Sequence, residues 1–253
     1  MASNSIYFIG NWKMFGIANS YKILDKINHF FQKDKKNNKK YKIIIAPPFT
    51  LLQKFKERYK DKKILISAQN CHNQDYYGAY TSSISPFMIK KIGVSHVILG
   101  HSEVRQSGEN SSIIREKTLL AIKNNLKIIL CIGENKKDRS RNITLRVLKK
   151  QILNVIKKRS SLKKILIAYE PIWSIGTGKV PTNNELKRNI IYLKKYLKKK
   201  FNTKYNTKFL YGGSVDKNTI NDLKKIKELD GFLVGGASRS SKNFIDIIKN
   251  FYK

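Results

Sequence analysis

Eight short runs of apolar, largely β-branched residues recur along this chain, at residues 6–10, 43–46, 64–68, 97–100, 127–132, 165–169, 209–211 and 232–234. They are apolar nearly throughout instead of alternating, which is the pattern of strands covered on both faces. Longer segments between them carry a helical period. Leu186, Ile190, Leu193, Leu197 and Phe201 recur at steps of four and three with lysines on the other side, and Leu145, Leu148, Ile152 and Val155 do the same. Thr182 with Glu185 three residues on predicts a capping box at the start of the first of these helices. Eight strand–helix units in 253 residues predict an α/β protein built as a single (β/α)8 barrel over residues 1–253. A doubly wound sheet uses the same alternation, but no GxGxxG follows the first run and no GxxxxGK[ST] loop is present. No Pro/Gly/Ser-rich linker divides the chain.

Composition narrows the function classes. With 41% hydrophobic and 11% aromatic residues, the chain can bury a sizeable core, which argues against intrinsic disorder. No apolar run approaches the roughly 20 residues that span a bilayer, and Met1 to Ser5 do not resemble a secretory signal. Two cysteines, Cys71 and Cys131, make neither a disulfide framework nor a four-ligand zinc site, so a cytoplasmic setting is expected. The 52 Lys+Arg against 17 Asp+Glu leave a formal charge of +35, which admits a nucleic-acid binder. Yet the lysines are scattered, with mild clusters at residues 33–40 and 194–200, and no basic–aromatic platform interleaves them. The competing reading is compositional drift toward Lys, Asn and Ile at solvated positions, with no specific nucleic-acid partner. A positive field would also attract a small dianion.

In a (β/α)8 barrel the chemistry lies where strands end and loops begin. Glu170 closes the run Ile-Leu-Ile-Ala-Tyr, where desolvation lifts a carboxylate toward neutrality and suits it to general-base work. A buried structural ion pair is the alternative. Gly176-Thr177-Gly178, bracketed by Pro171 and Pro181, predicts a movable lid beside it. His101 follows the fourth run and precedes Ser102-Glu103, a start for a helical turn whose N-terminus favours a neutral imidazole. His29, His72 and His96 lack such a setting and are assigned ordinary surface or core roles. Asn11 and Lys13 stand two apart after the first run and face one side. Gly212-Gly213 and Gly235-Gly236 end the last two runs, where barrel loops commonly hold phosphate.

These segments together resemble the triosephosphate isomerase family over essentially the whole chain. The matching stretches are Asn11-Trp12-Lys13-Met14, Gly100-His101-Ser102-Glu103, Cys131-Ile132-Gly133-Glu134, Ala168 to Lys179, Tyr211-Gly212-Gly213-Ser214-Val215 and Asp230 to Ser238. The resemblance implies interconversion of dihydroxyacetone phosphate and glyceraldehyde 3-phosphate through an enediolate. It assigns Glu170 as the base, a neutral His101 as the electrophile, Lys13 and Asn11 as oxyanion stabilisers, and Glu103 as an orienting neighbour. Gly176, Ser214, Gly235 and Gly236 would grip the phosphate. It implies neither metal nor organic cofactor, and a homodimer formed through the loop from Gln69 to Thr81.

Three departures from the family pattern carry expectations of their own. Val104 stands where an arginine usually follows His-Ser-Glu, and Ser82-Ser83 follow Thr81 where Gly-Glu is usual. The interface ion pair those two residues make in the family is absent, so a more readily dissociating dimer is expected. Pro181 stands where the family's lid hinge supplies a backbone N–H to the tyrosine matching Tyr211. Proline has no N–H, which predicts that Tyr211→Phe costs less here than in relatives with that donor. Another phosphosugar isomerase or decarboxylase on the same barrel is the second enzyme reading, and a polyanion-binding protein the non-enzyme one.

Overall fold

Side chains that are apolar on both sides of a strand require cover on both sides, and all eight runs obtain it. The computed structural model describes residues 5–60 and 63–253; residues 1–4, most of the stretch tested for a secretory signal, lie outside the described residues. The strands are β1 (Ile6–Asn11), β2 (Tyr41–Ala46), β3 (Leu65–Ala68), β4 (His96–Leu99), β5 (Lys127–Ile132), β6 (Ile165–Tyr169), β7 (Lys208–Tyr211) and β8 (Gly231–Val234). They form a closed barrel in chain order, and β8 pairs with β1 in parallel to complete it. Helices fill the intervals: α1 (Tyr21–Lys33), α2 (Phe49–Arg58), α3 (Pro86–Lys91), α4 (Ser102–Gln106), α5 (Ser111–Lys123), α6 (Lys136–Ser140), α7 (Thr144–Val155), α8 (Asn183–Lys200), α9 (Ile220–Leu223) and α10 (Ser241–Tyr252). Among the described residues no helix is long and apolar enough to cross a membrane.

The pleat sorts each strand into two cores. In β6, Leu166 and Ala168 join Ile9, Ile129 and Leu210 inside the barrel, while Ile165, Ile167 and Tyr169 pack outward under the helices. This parity carries the function, because the residue two beyond Ala168 is Glu170, and it continues the inward row to the barrel mouth. Asn11 stands in the same relation to Ile9, Gly212 to Leu210 and Gly235 to Leu233. Gly100 lies just beyond β4 with φ +69°, in the left-handed region that favours glycine, and turns the chain so that His101 can open α4.

The expected helix before Phe201 is α8, with Leu186, Ile190, Leu193 and Leu197 buried. Only half of its capping box forms. Thr182 accepts the Glu185 N–H at 3.2 Å, but the Glu185 carboxylate pairs with Arg139 of α6 at 2.9 Å instead of turning back to the cap.

Candidate active site

The strand ends enclose a cavity of about 310 Å³ lined by Asn11, Lys13, His101, Glu170, Gly176, Ser214, Gly235 and Gly236, with Gly212 and Gly213 among their neighbours. Glu103 does not line it. Its half-exposed carboxylate instead holds the Lys13 ammonium at 2.5 Å, from outside the cavity.

Lys13 is held in an unfavourable backbone conformation, with φ +55°. Two bonds enforce it. Its N–H donates to Asn11 Oδ1 at 3.0 Å, and its carbonyl accepts from Gln69 Nε2 at 2.8 Å. The Gln69 amide also reaches the Ala46 carbonyl, so one side chain fastens the loop after β1 to the end of β2. The sequence reading places Gln69 only at the start of a dimer loop; its clamp joins residues 56 positions apart.

His101 caps α4 with its side chain. Nδ1 accepts the Glu103 N–H at 3.3 Å, which requires an unprotonated Nδ1 and leaves the ring proton on Nε2. Nε2 then faces Glu170 Oε1 at 3.6 Å, too far for a direct hydrogen bond, on the cavity wall. Arg105, one turn on, donates to the carbonyls of Gly100 and Cys131 and so fixes the turn that aims His101. His29 is exposed, and His72 lies against the Tyr80 ring with centroids 4.9 Å apart. His96 is buried at the foot of β4 against Ser95, and burial pushes its pKa down to about 3.

Glu170 is 2% exposed, and its Oε2 has no hydrogen-bond partner. Burial raises its pKa above the ordinary 4.5; His101, the Cys131 thiol, the Lys13 charge and the Ser102 backbone pull the other way without cancelling it. The carboxyl is not locked in an ion pair with either basic neighbour. Glycine makes the space it occupies: a Cβ on Gly212 would lie 2.6 Å from Glu170 Cγ. If Glu170 is the base, Gly212→Ala should lower kcat by about 10²-fold, since a displacement of roughly 1 Å at a reacting group costs that much. Gly212 has no left-handed φ, so the change adds no backbone strain, and overpacking beside the buried Glu170 should lower the melting midpoint only modestly. Steady-state rates beside a thermal melt check both.

The segment 171–181 rises from Glu170 and crosses the cavity. Glu134, buried and missed at the sequence level as a functional group, anchors its start by accepting from Trp173 Nε1 at 2.8 Å and Tyr169 Oη at 3.1 Å. The segment's tip is tied to the loop after β7: Gly178 N–H donates to Ser214 Oγ at 3.2 Å, and Ser214 donates to the Ser174 carbonyl at 2.7 Å. The proline at 181 leaves Tyr211 no backbone N–H there, but Tyr211 finds another partner on the lid. Its hydroxyl meets Ser174 Oγ at 3.0 Å. Tyr211→Phe would therefore break this contact instead of a bond to residue 181.

Residues 6–251 match the family model described as triosephosphate isomerase. The triosephosphate isomerase of Mycoplasma mobile is 42% identical, with 95% of this chain and 98% of that protein aligned. That of Borrelia garinii is 39% identical, with 96% and 98% aligned, and that of Dictyostelium discoideum 36% identical, with 99% and 98% aligned. Among solved structures, the triosephosphate isomerase of Bartonella henselae superposes with a TM-score of 0.88 at 32% identity, covering 98% of this chain and 99% of that one.

Proposed function

Because the chain belongs to the triosephosphate isomerase family and so interconverts dihydroxyacetone phosphate and glyceraldehyde 3-phosphate, a step of glycolysis, we propose the following roles for its side chains. Glu170 takes a proton from one carbon of the bound triose and returns it to the adjacent carbon. His101 donates its Nε2 hydrogen to the carbonyl oxygen as negative charge develops there. Lys13 and Asn11 stabilise the same oxyanion, and Glu103 holds the Lys13 ammonium toward it. The N–H groups of Gly176, Ser214, Gly235 and Gly236 bind the phosphate. The observation that carries this reading is the buried Glu170 carboxylate on a cavity wall, with Oε2 lacking a hydrogen-bond partner and Oε1 3.6 Å from an imidazole whose proton faces it. A coupled isomerase assay on the wild type and Glu170→Gln tests it; equal rates would overturn it.

The energetic logic favours the enediolate over the ground state. A developing oxyanion in a cavity shielded from water gains far more from a fixed ammonium and a fixed N–H than a neutral carbonyl does. The segment 171–181 excludes water, so the enediolate is reprotonated before it expels phosphate.

The same proposal includes residues 1–253 as one domain, a cytoplasmic location consistent with two free, buried cysteines, and a homodimer through the loop from Gln69 to Thr81. Tyr77 on that loop is 68% exposed, and Met14 and Ile17 on the loop after β1 are 93% and 72% exposed. Large apolar side chains exposed on adjoining segments mark a surface for association. Without an arginine at 104 and a glutamate at 83, the dimer should come apart at lower dilution than is usual in the family. Sedimentation from micromolar to nanomolar protein checks this; a species fully dimeric at nanomolar concentration would count against it.

A further inference from the structure

We propose that Ser174 is a positioning residue for the isomerase reaction, its hydroxyl tying the C-terminal hinge of the segment 171–181 to Tyr211 of β7. The inference rests on the isomerase reading above and deepens it.

The hydrogen bonds assign each proton. Ser174 Oγ lies 2.5 Å from the Lys179 carbonyl, which can only accept, so the single serine proton goes there. The contact between Ser174 Oγ and Tyr211 Oη, at 3.0 Å, therefore has the tyrosine as donor. A relay results: Tyr211 O–H to Ser174 O–H to the carbonyl of Lys179. Both side chains are fully buried, and burial pushes the Tyr211 phenol up to about 12, which keeps its proton in place at neutral pH.

The surroundings are shaped to admit this junction. A Cβ on Gly213 would stand 2.2 Å from Tyr211 Oη and 2.6 Å from Ser174 Oγ, so the relay exists only because residue 213 has no side chain. The Ser174 main chain is held as well, by the Ser214 hydroxyl on its carbonyl. Beyond Lys179 the hinge runs Val180-Pro181, and residue 181 has no N–H to offer a partner on the barrel. Within segment 171–181, the relay reaches the hinge carbonyl of Lys179 directly, two residues before that proline.

The consequence is kinetic. An untethered hinge gives a lid that closes less often and less completely, and Glu170 stands at the lid's other end. The enediolate then has more time in water, where its C–O bond to phosphate breaks, releasing inorganic phosphate and leaving an enol that tautomerises to a ketoaldehyde.

The test compares wild type, Ser174→Ala, Tyr211→Phe and the double variant for kcat, KM, inorganic phosphate released per turnover and melting midpoint. Ser174→Ala should lower kcat by about 10-fold, change KM by less than about 3-fold and raise phosphate release per turnover by about 10-fold. The double variant should be no slower than the worse single one, because both substitutions cut the same relay. A Ser174→Ala kcat within about two-fold of wild type would overturn the proposal, and so would single losses that multiply in the double variant. A lowered kcat with unchanged phosphate release would overturn it too, since a merely loosened fold slows turnover without exposing the intermediate. An inactive wild type would instead bring down the isomerase reading itself, and this inference with it.

Discussion

Glu170→Gln is expected to lower kcat by about 10²- to 10⁴-fold, the range that a positioned base contributes, while leaving the barrel at least as stable as wild type at neutral pH. The two halves of this expectation have one cause. Burial, which its polar neighbours only partly offset, raises the carboxyl's pKa in the folded chain. Between the unfolded value and that raised folded value the native state holds the extra proton, so stability is full below the window and declines as pH rises through it. At neutral pH the ionised carboxylate therefore costs the fold stability, and glutamine, which carries no charge, removes that cost. Thermal melts of both proteins should differ most at neutral pH and converge in acid. A melting midpoint well below wild type at pH 7 would show that Glu170 is a structural ion-pair partner after all. In wild type, kcat/KM should fall as pH drops through the raised pKa, leaving an acid limb above the ordinary carboxylate value of 4.5 once titration of the substrate's phosphate is allowed for.

Lys13→Met should lower kcat/KM by about 10²- to 10³-fold, the loss typical of removing one oxyanion donor. Methionine keeps much of the length and the apolar stem, so the change isolates the charge. A second readout separates electrostatics from shape. The Lys13 charge is one of the groups that draw the Glu170 pKa downward. Its removal should shift the acid limb of the residual activity to higher pH. A fallen kcat/KM with an unmoved acid limb would mean that Lys13 acts only by contact with the substrate. Glu103, left without the ammonium it holds at 2.5 Å, is half-exposed and can be solvated, so the fold should tolerate the change.

Much of this was legible before any coordinates, and the reasons are local. β5 and β6 match their sequence-level bounds, and the others differ by at most two residues at either end, because a strand buried on both faces writes its cover into consecutive side chains. The placement of Asn11 and Glu170 follows from counting by two from Ile9 and Ala168, which needs no more than the pleat. What was not legible is just as instructive. The capping box failed because Glu185 met Arg139, a partner 46 residues away, and helix-start signals contain no information about such a partner. The partner that Tyr211 finds on the lid was equally invisible in the sequence. Position 181 can be read as lacking a donor, but the hydroxyl that meets Tyr211 instead, as an acceptor, belongs to Ser174, 37 residues away in the chain.

The barrel, the ring of strand ends and the residue types around it are legible in the chain, since these depend on periodicity and on where each apolar run stops. How those groups act on one another is settled by packing in three dimensions. That packing turned His101 so that Nδ1 is occupied and Nε2 faces Glu170, forced Lys13 into a left-handed turn under the Gln69 amide, and set Glu103 behind it. It also closed the hinge with a serine where a backbone N–H was missing. Secondary structure is encoded by neighbours in the chain. Hydrogen-bond partners, burial and the pKa values that follow from them are set by neighbours in space, which the closed barrel brings together from opposite ends of the sequence.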